Sequence, residues 1–303
     1  MAPPRRERVP AGAGSPPAEL GTDRLRIAVP ASGRLREPSV ALLEDAGLGP
    51  ERPGDRALAF PCRNAPVDVL LVRAADVPEY VQDGAVDCGI TGLDLVHERG
   101  VAVDELLRLG FGSCRLEAAV PNESPVSSLD ELHGLRTATV FPRLASRLLQ
   151  ERGLEVEIVE VTGAVEVAPR LGLADAIVDL VSSGSTLRTN GLRSIGVLFS
   201  SEAVLVGRRD GDGRAETLAR ILRSVVDARK TRYLMLNAPE ASLAAICELV
   251  PGSGAPSVLP LAEPGMVAVH ALVPAAEVWS ILPELEAAGG SSILLLPVER
   301  MLA

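Results

Sequence analysis

The chain has 303 residues, enough for two domains or three, and its 47% apolar content supplies a sizeable core. A formal charge of −10 and only 2% aromatic residues argue against nucleic-acid binding, which needs a basic face or stacking platforms. They leave room for an anionic ligand held by a locally basic site.

The sequence contains no apolar run of the length (about 18 residues) that marks a transmembrane helix, so no membrane association is expected. Cys62, Cys88, Cys114 and Cys247 are widely spaced, with no CxxC pair, which predicts reduced thiols in a cytoplasmic protein. Residues 1–23 are rich in Pro, Gly and Ala and lack the continuous apolar stretch of a signal peptide. They are expected to form a disordered tail.

In chain order, Leu25–Pro30 (LRIAVP) reads as a strand, Gly33–Arg34 as a turn, and Pro38–Ala46 as a helix ended by Gly47. Val67–Arg73 (VDVLLVR) has the continuous apolar character of a strand buried on both faces. A helix over Asp76–Asp83 and a strand at Val86–Ile90 follow, an alternation that predicts α/β layers with parallel strands. A second block repeats the alternation. It has strands at Arg115–Val120, Arg136–Val140 and Glu155–Val161, and helices at Leu129–Leu132 and Arg143–Arg152. Two strand-like runs in Leu192–Val206 then return towards the first block. Two α/β lobes joined by crossing strands form a cleft, a common place for a ligand. From about Thr217 a helix, then Tyr233–Leu236, Ala241–Leu249, Val267–Val273, Glu277–Ala288 and Ile293–Val298 suggest the β-α-β-β-α-β order of a ferredoxin-like domain.

The most informative stretch is Asp179–Leu192 (DLVSSGSTLRTNGL), which follows the apolar run Ala176–Val178. Ser182, Ser183, Ser185 and Thr186 bring hydroxyl donors, and Gly184 lets backbone approach a ligand. At the start of a helix these features suit a phosphate. The plainer alternative is an ordinary loop in which Ser185 or Thr186 caps the helix. Asp179 binds phosphate poorly but accepts hydrogen bonds from sugar hydroxyls, directly or through a metal ion. Glu166 is either a first-turn acid or a second ribose-hydroxyl acceptor. Arg34, Arg56 and Arg73 are candidate anion contacts, or solvated and ion-paired surface groups. His97, His133 and His270 have no metal-ligand spacing, and no Ser/His/Asp set, Walker A loop or well-placed GxGxxG is present.

The stretches RIAVPASGRL (26–35), VDCGITGLDLV (86–96), GFGSCRL (110–116), GAVEVAPRLGLADAIVDLVSSGSTLRTNGL (163–192) and GGSSILLLPVERM (289–301) resemble the long-form ATP phosphoribosyltransferases of histidine biosynthesis. The resemblance runs from about residue 24 to the end of the chain. It implies a two-lobed, type II periplasmic-binding-protein-like catalytic core with a C-terminal ferredoxin-like (ACT-like) α+β regulatory domain. The expected division is a tail over 1–23, lobe I over 24–112 plus 198–222, lobe II over 113–197 and the regulatory domain over 223–303.

The implied activity joins ATP to 5-phosphoribosyl-1-pyrophosphate (PRPP), with Mg²⁺ as cofactor, L-histidine as feedback inhibitor and a homo-hexamer assembled from dimers. On this resemblance Ser182–Thr186 cradles the PRPP 5-phosphate, while Asp179 and Glu166 face the ribose. Arg34 and Arg56 stabilise leaving-group charge, and Ser32, Gly33 and Arg73 contact ATP or pyrophosphate. Asn237, Ser257 and Ser291 hold histidine, and the Mg²⁺ ligands are unassigned. One departure stands out. Many relatives carry a lysine before the Gly-Arg pair, where this chain has Ala31 and Ser32, so Arg34 is expected to bear more of the load. A non-catalytic binding or regulatory paralogue on the same fold is the alternative.

Overall fold

The computed structural model describes residues 24–49, 58–250 and 255–302; the proposed tail lies outside them. The chain opens with β1 (Leu25–Pro30), α1 (Arg36–Asp45), β2 (Ala59–Pro61), β3 (Val67–Val72), α2 (Val77–Gln82), β4 (Cys88–Gly92), α3 (Leu93–Arg99) and β5 (Val103–Arg108). It crosses to a second sheet as β6 (Cys114–Pro121), β7 (Arg136–Thr139), α4 (Pro142–Gln150), β8 (Glu157–Glu160), β9 (Ala176–Val181), α5 (Ser185–Thr189) and β10 (Leu192–Ser201). It returns as β11 (Ala203–Arg208), and α6 (Arg214–Arg229) follows. The last unit is β12 (Thr231–Pro239), α7 (Leu243–Leu249), β13 (Ser257–Pro260), β14 (Met266–Pro274), α8 (Val278–Ala287) and β15 (Ser291–Pro297).

The first two sheets share one five-strand order, to which the first adds β2 at its edge. The first runs β2-β3-β1-β4-β11-β5 and the second β10-β6-β9-β7-β8. In each, three parallel strands (β3-β1-β4 and β8-β7-β9) are followed by one antiparallel strand that has just arrived from the other lobe, β11 or β6. The chain changes sheet after Ser201, so all of β10 stays with the second sheet and β11 alone joins the first. Both sheets are packed on two faces. Ile27, Val29, Leu42 and Leu222 fill one side of the first and Ala28, Val77 and Val206 the other. Leu116, Leu144 and Val178 fill one side of the second, and Ile177, Val165 and Leu187 the other.

α6 lays Leu218, Leu222 and Val225 into the first-sheet core before the chain enters the third sheet. That sheet is antiparallel, ordered β13-β14-β12-β15, which is the ferredoxin-like arrangement. Its two central strands alternate between faces. Leu234, Leu236, Val267, Val269 and Ala271 pack with Ile246 and Leu285, leaving the opposite face more open.

The lobes also meet through their helices. α4 starts with Pro142 at its first turn, and its Arg143 and Leu144 amides donate to the Glu98 carboxylate of α3 at 3.2 and 2.8 Å. A side chain of one lobe thus caps a helix of the other.

Candidate active site

In open α/β sheets, ligands gather at the carboxyl ends of the parallel strands, where successive connections leave in opposite directions. In the second sheet that point lies between β7 and β9, and the hydroxyl loop leaves the end of β9. Gly184 adopts φ +71°, a left-handed conformation natural to glycine, and this turns the chain into α5. Ser185 and Thr186 lie inside the first turn of α5, and neither side chain caps it. α5 has only five residues, so its dipole is small, and hydroxyls and individual amides must provide most of any hold on an anion. Ser183 and Ser185 share a hydroxyl–hydroxyl hydrogen bond of 2.9 Å, and Ser182, Ser183, Ser185 and Thr186 are all exposed.

A cavity of about 130 Å³ brings Glu166 and Asp179 together with Ser182, Ser183, Gly184 and Thr186. Asp179 lies within β9, two residues before its end at Val181. Its Oδ1 accepts from the Leu180 amide at 2.7 Å. Burial pushes Asp179 up from 3.8 to about 6, the Glu166 charge adds to this, and the Leu180 hydrogen bond opposes it. Glu166 sits in a single 3-10 turn, Val165–Val167, entered through Ala164 at φ 48°. A left-handed alanine is strained by roughly 1 kcal/mol, so the carboxylate is held by backbone that packing must enforce.

Arg34 reaches the same cleft from the first sheet. It follows β1 and Gly33 (φ +80°), and the Ala31 amide donates to the Val72 carbonyl at 2.7 Å, which sets this loop beside the end of β3 and Arg73. Arg34 Nη1 donates to the Gly112 carbonyl at 2.6 Å and Nη2 to Cys114 Sγ at 3.0 Å. Cys114 lines a cleft cavity of about 310 Å³ that also includes Ser182, Arg115, Ser201 and Glu202. Burial pushes the Cys114 thiol up, against the nearby Arg34. Ser182 of the hydroxyl loop thus shares a cavity with Cys114, the residue to which Arg34 donates. Ser32, Gly33 and Arg73 are exposed on the first lobe. Arg56 lies outside the described residues.

The sequence matches the ATP phosphoribosyltransferase family (HisG) over residues 73–226 and the HisG C-terminal domain over 228–300. The ATP phosphoribosyltransferase of Halobacterium salinarum is 45% identical over 280 residues, covering 91% of this chain and 99% of its own. That of Methanosarcina acetivorans is 42% identical over 287 residues, covering 92% and 99%.

The chain belongs to the ATP phosphoribosyltransferase family.

Members of this family are pentosyltransferases of histidine biosynthesis. A chain from the ATP phosphoribosyl transferase (HisG:HisZ) complex of Thermotoga maritima is similar in structure, with 26% identity and a TM-score of 0.58, over 67% of this chain and 98% of that one. The fold is thus the two-lobed, type II periplasmic-binding-protein-like core expected from the sequence, joined to a C-terminal ferredoxin-like domain.

In that third domain Ser291 Oγ donates to the Asn237 carbonyl at 3.1 Å, so these two candidates adjoin. Ser257 is farther off. It pairs with His270, which pairs with Met235, two strands away from the Asn237 row. Tyr233 Oη and His270 Nδ1 form a 2.9 Å hydrogen bond on the same open face.

Two residues beside the hydroxyl loop were not picked out from the sequence. Arg115 and Glu117 of β6 face the loop side of the second sheet, and Glu117 stands directly across from Asp179. The available signal was CRLEAAVP, in which two charged residues stand two apart in an otherwise apolar strand and so share one face.

Proposed function

We propose that this chain transfers the 5-phosphoribosyl group of PRPP to N1 of ATP, releasing pyrophosphate, and that L-histidine inhibits it through the C-terminal domain. The carrying observation is the joining of Asp179, Glu166 and the Ser182–Thr186 hydroxyls in one cavity at the second-sheet switch point. Family membership supplies the reaction class.

The reaction needs no protein nucleophile. N1 of adenine attacks the anomeric carbon, the carbon–oxygen bond to pyrophosphate breaks, and positive charge develops on the ribose in between. The hydroxyl loop holds the 5-phosphate, while ionised Asp179 and Glu166 accept from the ribose hydroxyls and face the developing charge. Arg34, tethered to Gly112 and Cys114, takes the pyrophosphate side with Arg56, and Ser32, Gly33 and Arg73 line the approach for ATP.

Mg²⁺ fits this donor set. The described residues contain no cluster of three or more metal-ligating side chains, whereas Asp179 and Glu166 offer two carboxylates in one cavity. Magnesium is well served by one or two carboxylates, substrate phosphate oxygens and water. When bound, it neutralises charge on the departing pyrophosphate. Asn237, Ser257 and Ser291 are the proposed histidine contacts. Assembly as a homo-hexamer built from dimers and a cytoplasmic location complete the reading. Among the described residues no helix is long and apolar enough to cross a membrane.

The test is turnover of ATP and PRPP with Mg²⁺ and pyrophosphatase, with product detected by mass, with and without L-histidine. Phosphoribosyl-ATP formation that histidine suppresses is expected. Product that ignores histidine would remove the regulatory assignment, and no product from folded protein would favour a non-catalytic paralogue.

A further inference from the structure

The hydroxyl loop supplies neutral donors for a dianionic phosphate, and its helix is a single turn. A cation nearby would match the charge that these donors leave uncompensated. Four arginines line the cavities that flank the loop. Arg108 is paired with Glu105 and Glu202. Arg188 reaches the Ser183 carbonyl at 3.4 Å, and Arg193 donates to the carbonyls of Ser124 and Val126.

Arg115 differs from all three. It lines both the cleft cavity that holds Ser182 and a second cavity of about 390 Å³ that holds Ser183 and Gly184, so it flanks the loop on two sides. Its Nε donates to Glu117 Oε1 at 2.7 Å. The Glu117 side chain is 5% exposed and that of Arg115 53%. Glu117 is thus a buried carboxylate fixing one edge of a guanidinium whose Nη groups have no hydrogen-bond partner among the described residues. A guanidinium held at Nε keeps its Nη edge for two parallel bonds to phosphate oxygens.

We propose that Arg115 binds the 5-phosphate of the phosphoribosyl substrate and that Glu117 is the positioning residue that aims it. This assignment rests on the phosphoribosyl reading of the loop. It adds a charged contact to a cradle of hydroxyls and explains an ionic pair on a strand whose neighbouring residues are apolar. Glu117 does no chemistry itself; it restricts the arginine to rotamers that face the loop.

Binding of ribose 5-phosphate to the full chain, measured by calorimetry, tests this separately from turnover. Arg115→Ala alone strands a buried carboxylate and risks misfolding. The informative variant is therefore Arg115→Gln combined with Glu117→Gln, which removes both charges together. Ribose 5-phosphate affinity and the KM for PRPP are expected to weaken about 30-fold, with the KM for ATP unchanged. Arg115→Lys should recover part of the loss. Glu117→Gln alone should weaken binding about fivefold through misaimed donors.

Unchanged ribose 5-phosphate affinity in the folded double variant would overturn the assignment, as would equal losses for PRPP and ATP. A wild-type protein that binds no ribose 5-phosphate would overturn it too. Wild-type binding without turnover, lost in the double variant, would keep Arg115 as the phosphate contact and remove only the catalytic reading.

Discussion

The second and third sheets each carry a proposed ligand site, and they treat polar groups in opposite ways. At the end of β9 the chain leaves an aspartate in a cavity where burial penalises its charge, with Glu166 nearby and exposed hydroxyls around it. On the third sheet two polar pairs are already matched, Ser291 to the Asn237 main-chain carbonyl and Tyr233 to His270. The first site holds a carboxylate whose charge burial disfavours, whereas the second already pairs part of its polar surface internally. On the proposed function, such asymmetry is expected where one site must favour a transition state and the other only a ligand.

The comparison is broken most severely at Asp179. Asp179→Asn is expected to lower turnover about 10²-fold, because the ribose then loses its anionic partner. The same change should raise thermal stability, by about 1 kcal/mol or ~3 °C, since a neutral amide avoids the cost of a buried charge. Calorimetry alongside kinetics checks both signs, and lower stability in the variant would mean the site is not strained.

The pH dependence sharpens the same point. Asp179 rises from 3.8 to about 6, so kcat/KM for PRPP should fall about tenfold per pH unit below that value as the carboxylate gains a proton. Its stability contribution runs the other way. Between 3.8 and about 6 the folded state holds more protons than the unfolded one, so stability declines as pH rises through that window. The asparagine variant should lack both trends.

A smaller effect is expected at Gly184, where φ is +71° and an added Cβ would lie 3.3 Å from Arg188 Nη1. Gly184→Ala should raise the KM for PRPP about tenfold through roughly 1 kcal/mol of left-handed strain and a displaced loop. The smallest change belongs to the third-sheet site. Ser291→Ala should weaken histidine inhibition about threefold, read as a shift in the inhibition curve.

The elements legible in the sequence were those with an apolar signature of their own. β1, β3, β9 and β14 are central strands with neighbours on both sides, and their runs of Val, Ile, Leu and Ala were visible directly. The three strands not recognised, β2, β5 and β13, are all edge strands. An edge strand shares its ladder on one side only and tolerates sequences such as VDELLR or the exposed SVLP. The missing second strand of the ferredoxin-like order is therefore β13, in a stretch read only for Ser257.

At the site, the hydroxyl loop was legible because its residues are contiguous. Arg115 and Glu117 meet it only through the pairing of β6 with β9, a register that no local pattern reveals. The position of Arg34 beside Cys114 likewise depends on the crossing between lobes, not on its own neighbours.

The Glu98 cap on α4 makes the cleft measurable without a ligand or a label. The amides of Arg143 and Leu144 are protected only while α3 stays against α4, so any parting of the lobes there exposes them to solvent. Their hydrogen-exchange rates then form a clock for breathing of the cleft, and slowing of that clock as substrate is added would time its closure.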